Sequence, residues 1–414
     1  MKLVVFAHTP PPHHGQSYMV QLMLEGFGGD VRRRQPGAAS PFGIDCYHVN
    51  ARFSETLEDV GEFQGGKILL IFWFCLQALW LRFRHGAAHL YYVPAPGKRV
   101  ALYRDWLVML FCRPFFTSVI LHWHAAGLAK WLETASSSAV RSLTYRLYRP
   151  VTLSIVLSQY NAADAEKLLS RNVRVVRNGI MDPCPDFEVA ILPRRRARVA
   201  ARQKLLAGEA LSPVDAQAAG GDPHLVKVLF LAHCMRQKGL FDALEGVVEA
   251  ERQLRGAGSP LGLELTVAGE FPIAAERAEF EQRLADLAHR ADSPPVRYVG
   301  FVGGDRKRQS FIGADIFCFP TYYFAESFGL VIVEAMAFGL PVVATRWRNI
   351  PELFPDNYPG LVPARSPGQI AAALQAGAAL DLTESMRRLF LDRYTFAAHL
   401  SRLAEAIRSV ETAG

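Results

Sequence analysis

The sequence has little cysteine: Cys46, Cys75, Cys112, Cys184, Cys234 and Cys318 are six in 414 residues, with no C-x-x-C pair. In a chain this long such scatter argues against a disulfide framework and reads as reduced thiols of a cytosolic protein. Neither sign of charge dominates. Forty-six Lys plus Arg against 39 Asp plus Glu leave +7, an excess that speaks to solubility or affinity for anions and not to fold. With 50% hydrophobic and 21% charged residues the chain is too apolar for a disordered tail. Internal repeats and long low-complexity tracts are absent. The N-terminus, MKLVVFAHTPPP, reads as a short strand stopped by prolines and not as a signal peptide. Long apolar runs are scarce too. The exception is Ile68–Leu81, ILLIFWFCLQALWL, broken by Gln77 alone and flanked by Lys67, Arg82 and Arg84. A spanning helix needs ~20 apolar residues, so this run is short for a crossing. Two readings stay open: a buried or partly buried helix, or a helix lying in the interface of an anionic membrane.

What is present is an alternation of short aliphatic strands and helical segments. At ~150 residues per domain the length allows two to three domains. Expected strands fall at Leu3–Ala7, His89–Val93, Ser118–His122, Leu153–Leu157 and Val173–Val176. A second series follows at Val226–Ala232, Glu264–Ala268, Val296–Val299, Ile316–Phe319 and Pro341–Ala344. Helical segments separate most of them, which implies parallel βαβ units with right-handed crossovers, and two series imply two doubly wound α/β domains. We place the first over 1–185 and the second over 186–394. The stretch 186–223, with its prolines and the basic run Arg194–Lys204, reads as a variable surface insertion carrying a helix. The arginines read as a solvated face, with contact to phosphates or lipid headgroups as the alternative.

The most informative segment is 314–345, ADIFCFPTYYFAESFGLVIVEAMAFGLPVVAT. A buried strand ends at Pro320, a polar and aromatic loop follows, and a helix starts near Leu330 and stops at Gly339. That loop lies at the carboxyl end of a parallel strand, where open α/β sheets bind ligands. Helix N–H groups and the macrodipole favour a phosphate there, and Gly329 permits close approach. His122 and His124 close another expected strand. Their spacing could serve a metal, yet no Asp, Glu or Cys completes a set, so no metal is expected.

Glu326 and Glu334, set around this strand–loop–helix–GLPVVAT unit, resemble the paired glutamates of the retaining glycosyltransferases of family 4, which have the GT-B fold. The segment LFLAHCMRQKGLFDAL (229–244) resembles that family's G-R-x-x-x-x-K-G stretch, with Lys238 and Gly239 matching. His233 stands where Arg is expected and Ala232 where Gly is. HTPPPHHGQS resembles the family's P-P-x-x-G-G turn, with Gly15 matching and Gln16 in place of the second glycine.

The resemblance implies two Rossmann-like domains facing across a cleft, an acceptor domain first and a donor domain second. A final helix, within 395–414, would cross back to the first. It implies that Glu334 holds the ribose hydroxyls of a nucleotide-diphosphate sugar and that Glu326 lies near the sugar. Lys238 would meet the diphosphate, with His233 or Arg236 making up for the missing arginine. Gly15, Gln16, Phe328, Gly329 and Leu330 would complete the donor site, and His124 would position the sugar. No metal and no cofactor beyond the donor are implied. The expected activity is metal-independent retaining transfer of a hexose to a saccharide or lipid-linked acceptor, in cell-surface polysaccharide or glycolipid synthesis. The protein would be cytoplasmic and peripheral on the inner face of the membrane, with an anionic membrane surface as a partner and no nucleic acid. Two alternatives stay open. One is a GT-B nucleotide-sugar epimerase, and the other a basic non-catalytic module binding membrane or nucleic acid. A dehydrogenase is disfavoured, because no G-x-G-x-x-G follows either first strand.

Overall fold

The structure, a computed structural model, describes all residues except 12–14, 36, 53–64, 95–96, 150, 291–292 and 413–414. It divides into two compact units, Met1–Gly179 with Phe396–Gly414, and Ile180–Thr395. Residues 180–185 group with the second unit, not the first, because Ile180 bridges Thr395 and Asp182 ion-pairs with Arg387 at 2.6 Å.

Unit 1 holds strands β1 (Lys2–Ala7), β2 (Asp45–Asn50), β3 (His89–Tyr92), β4 (Ser118–Trp123), β5 (Leu153–Val156) and β6 (Asn172–Val175). They form one parallel sheet in the order β2-β1-β3-β4-β5-β6. Its helices are α1 (Gly15–Gly26), α2 (Gly65–His85), α3 (Arg99–Cys112), α4 (Leu128–Ala135), α5 (Ser138–Tyr148) and α6 (Gln159–Lys167). The strand alternation sorts the core into two layers. Leu3 and Val5 face α1, while Val4 and Phe6 face α2 and α3.

Unit 2 is built the same way from β7 (Leu225–Leu231), β8 (Gly262–Ala268), β9 (Val296–Tyr298), β10 (Ile316–Phe319), β11 (Val342–Thr345) and β12 (Leu361–Val362). The parallel order is β12-β11-β10-β7-β8-β9. Around it lie α7 (Phe187–Ala190), α8 (Leu192–Leu206), α9 (Pro213–Ala219), α10 (Leu240–Gly256) and α11 (Ala274–Ala288). Beyond these come α12 (Gly304–Gly313), α13 (Leu330–Ala337), α14 (Pro367–Gly377) and α15 (Thr383–Arg393). The last helix, α16 (Phe396–Thr412), belongs to unit 1. There Leu403 and Ile407 join Leu3, Val5 and Met23 in one apolar layer.

Two sequence expectations change. Strands β2 and β12 were not foreseen. The first reads DCYHVN, a short segment broken by the polar residues Asp45, His48 and Asn50, and the second is two residues long; both sit at sheet edges, where a strand needs only one partner. The arginine run of α8 is not a solvated face. Arg195, Arg198 and Arg202 are buried on one side of the helix. Arg202 reaches Asp315 at 2.6 Å and Arg198 reaches it at 3.1 Å, while Arg195 donates to the carbonyls of Ala314 and Phe311. A buried guanidinium is tolerated when its donors are met in this way.

Candidate active site

In unit 2 the strand order reverses between β7 and β10, and the carboxyl ends of the strands at such a switch point are where open α/β sheets bind ligands. The β7 loop delivers Lys238 and the β10 loop delivers Glu326. Lys238 Nζ lies 2.7 Å from Glu326 Oε2 and sits over the ring of Tyr323, 4.6 Å from its centroid. Thr321 Oγ1 approaches the same carboxylate oxygen at 3.3 Å. The two loops are stitched together by backbone, with Tyr322 N–H donating to the Gln237 carbonyl at 2.8 Å. Gly239 makes this approach achievable. Its φ is +83°, and a Cβ there would stand 2.3 Å from the Pro320 carbonyl oxygen. Below the loop, Trp347 Nε1 donates to the Tyr323 carbonyl at 2.9 Å, and Thr345 Oγ1 donates to the Thr321 carbonyl.

Past Phe328, which is buried, Gly329 adopts φ +80° and is the N-cap of α13, a residue with no side chain to cap the first turn. The N-cap itself thus supplies no acceptor to the opening N–H groups beside Leu330, and the helix dipole favours an anion there. Glu334, one turn on, is held at Oε1 by Lys307 Nζ from α12 at 2.6 Å. Its other oxygen, Oε2, is buried without a hydrogen-bond partner among the described residues. A buried carboxylate oxygen of this kind is an acceptor awaiting a donor.

His233 and Arg236 differ from the phosphate clamp that the resemblance implies. Desolvation of the imidazole, with the Lys238 ammonium beside it, lowers the His233 pKa, so the ring is neutral near pH 7. Arg236 is engaged elsewhere. Its guanidinium pairs with Glu279 of α11 and stacks 4.4 Å from the Phe241 ring centroid. Lys238, Glu326, Glu334, Phe328, Gly329 and Leu330 are thus gathered around the β7 and β10 loops, while Arg236 turns to α11.

Unit 1 carries the remaining candidates. His124 follows β4 and is buried, with its ring centroid 4.1 Å from that of His122. His122 hydrogen-bonds the Tyr91 hydroxyl, and burial, reinforced by the neighbouring His124 and His399, holds its pKa well below the ordinary value. The turn after His124 is fixed by Asp164, whose carboxylate accepts from the N–H groups of Gly127 and Ala129. Gly15 and Gln16 open α1, exposed and half-buried respectively. The rest of that turn, 12–14, lies outside the described residues. Sequence reasoning missed Lys307, Thr321, Trp347 and Asp164. Asp164 lies 37 positions from Gly127, beyond α4, α5 and β5, so neither it nor Lys307 carried a local sequence signal. Among the described residues no set of three His, Cys, Asp or Glu side chains is gathered as a metal site.

Two doubly wound units of this kind make the GT-B fold of nucleotide-sugar-dependent glycosyltransferases. HepE from Anabaena, solved with UDP and glucose, aligns with TM-score 0.60 at 16% identity, covering 98% of this chain and 99% of that one. Sucrose-phosphate synthase from Thermosynechococcus elongatus aligns with TM-score 0.62 at 19% identity over 100% of both. These likenesses concern the fold. In sequence, residues 226–378 match the family model "Glycosyl transferases group 1". The sulfoquinovosyl transferase SQD2 of Arabidopsis thaliana is 32% identical over 110 residues, 27% of this chain and 20% of the relative. The phosphatidyl-myo-inositol mannosyltransferase of Mycobacterium leprae is 31% identical over 207 residues, 47% of this chain and 50% of the relative. The chain thus spans at most half the length of these two relatives.

Proposed function

We propose that the protein is a retaining, metal-independent glycosyltransferase that moves a hexose from a nucleotide-diphosphate sugar to a saccharide or lipid-linked acceptor. The observation that carries the reading is the Glu334 carboxylate, oriented by Lys307 through one oxygen and left with the other buried and open. Ribose hydroxyls supply donors of the right kind, and a charge-assisted bond to a desolvated carboxylate is strong. Lys238, at the switch point between β7 and β10, meets the diphosphate, and the start of α13 adds its dipole. Glu326, relieved of Lys238, stands by the sugar. His124, Gly15 and Gln16 are assigned to the sugar on resemblance and belong to the same proposal.

In the reaction the bond from the anomeric carbon to the β-phosphate oxygen breaks and the acceptor oxygen bonds to that carbon on the same face. The acceptor proton goes to the departing phosphate. The protein then needs no general base and none is assigned. Its work is to fix the donor and to neutralise charge that grows on the leaving diphosphate. The name of the Mycobacterium leprae relative, a phosphatidyl-myo-inositol mannosyltransferase, supports a lipid acceptor. We place this chain in cell-surface polysaccharide or glycolipid synthesis, cytoplasmic and peripheral on the inner membrane face.

The test is acceptor-dependent release of nucleoside diphosphate from a panel of nucleotide sugars, comparing wild type with Glu334→Ala and Lys238→Ala. The reading requires a large loss in both variants. Equal kcat and KM in all three proteins would refute the site.

A further inference from the structure

The run Ile68–Leu81 lies in α2, and the structure divides that helix lengthwise. Ile71, Cys75, Ala78 and Leu81 form its buried stripe, packed with Phe6 and Tyr47 of the sheet. The opposite stripe is Leu69, Trp73, Leu76, Trp80 and Phe83, spaced four and three residues apart and 54–74% exposed. Such spacing places all five side chains along one line of the helix. The patch continues sideways. Leu110 and Phe111 of α3 and Phe115 after it are exposed as well, and ring contacts join Phe72 to Phe111 and Phe83 to Phe115. A soluble surface rarely leaves so much aromatic area open unless something covers it.

The charges around the stripe say what covers it. Helix α2 contains no acidic residue. Helix α3 contains one, Asp105, which is fully buried and held by the hydroxyls of Tyr92 and Tyr148 and by Arg104. Cations stand at both ends of the patch: Arg82 and Arg84 at the end of α2, and Lys98 and Arg99, both exposed, at the start of α3. A second copy laid on the same face would set these cations against themselves. An anionic bilayer meets both features, because its headgroups attract the cations and its acyl boundary takes tryptophan and phenylalanine. The helix is also unsuited to crossing. One whole side is committed to the protein core, so it can only lie in the plane of the interface.

We infer that the exposed stripe of α2, with Leu110, Phe111 and Phe115, is a membrane-docking surface that inserts shallowly into anionic lipid. This names the surface behind the membrane part of the function proposed above, yet it stands on α2 and α3 alone.

The experiment is flotation of the full chain with phosphatidylcholine vesicles, with and without about 30% phosphatidylglycerol, at low and high salt. Wild type should float with the anionic vesicles and far less with neutral ones. A Trp73→Gln, Trp80→Gln double variant should bind at least about tenfold more weakly, because two aromatic insertions are lost. Both positions are exposed, so its thermal midpoint and its donor binding should stay at wild-type values. That control separates this inference from the donor site, whose variants should float normally. Three results would overturn it: wild type that stays at the bottom with anionic vesicles, variant and wild type that float alike, or a wild-type dimer that the double variant turns into a monomer.

Discussion

Lys238 and Glu326 form a 2.7 Å ion pair across two loops that leave adjacent strands, with only 16% and 9% of their side chains exposed. Each group is the other's counterion until a donor enters. On the proposed function a donor diphosphate would compete for the lysine, linking donor entry to the freeing of Glu326 beside the sugar. Lys238→Met should therefore lower kcat/KM by about 10²–10³ and leave a buried carboxylate without its partner, at a cost of about 1–3 kcal/mol in stability. Glu326→Gln keeps the Thr321 contact and should be the milder change for folding. Steady-state kinetics with denaturant titration on both variants checks the pair. Lys238→Met with wild-type kinetics would remove the lysine from the reaction.

Glu334 allows a sharper test, because Lys307 holds one of its oxygens and leaves the other to accept. If Oε2 accepts a ribose hydroxyl, Glu334→Gln should weaken donor binding about 10–100-fold, the range for a hydrogen bond to a charged group. Wild type should likewise bind a deoxyribose donor analogue worse than the parent, while Glu334→Gln should barely distinguish the two. Lys307→Met keeps the carboxylate and loosens only its orientation, so its effect should be smaller than that of Glu334→Gln. Calorimetric titration of the four combinations gives the coupling. A deoxy penalty that persists in Glu334→Gln would place the ribose elsewhere.

The site was legible in the sequence where chemistry sits on a contiguous stretch. The unit from Ile316 to Thr345 shows its strand, its loop glycine and its helix stop as turn chemistry and hydrophobic pattern. Lys238 and Glu326 are 88 positions apart, and family resemblance was needed to bring them together. Lys307 was invisible, since one lysine in the polar helix GDRKRQSFIG looks like any solvated one until Glu334 is seen opposite. The α8 arginines misled for a related reason. Burial of Arg195, Arg198 and Arg202 depends on Asp315 and on carbonyls more than a hundred residues away, which no local pattern records.

Gly239 joins the two loops by having no side chain. Gly239→Ala would add a left-handed backbone penalty of about 1–2 kcal/mol and a clash with Pro320, and it should part the loops that hold Lys238 and Glu326. Loss of both stability and donor affinity is expected. Gly256, at the end of α10, has open space where a methyl would go, with nothing within 4 Å, and is a fitting control. Alanine there should be neutral or gain up to about 1 kcal/mol. Urea midpoints for the two variants decide it. Equal midpoints would mean that the loops can separate without cost.

His399 of α16 should give the fold of unit 1 an acid limit. The ring is 1% exposed and donates from Nδ1 to the Arg177 carbonyl at 2.8 Å. Burial lowers its pKa to about 4, with the Arg177 carbonyl opposing and the Arg402 charge adding to the shift. The unfolded ring titrates near its ordinary value of about 6.5. Above that both states are neutral and the contribution to stability is fully present. As pH falls from about 6.5 towards about 4 the unfolded chain takes up a proton that the folded one refuses, and up to about 3 kcal/mol is lost. His122, also held low by burial, adds to the same slope. His399→Asn should flatten the dependence of the unfolding free energy on pH by close to one proton at pH 5, measured by denaturant titration from pH 7 to 4. An unchanged slope in the variant would show that His399 is not the group being protonated.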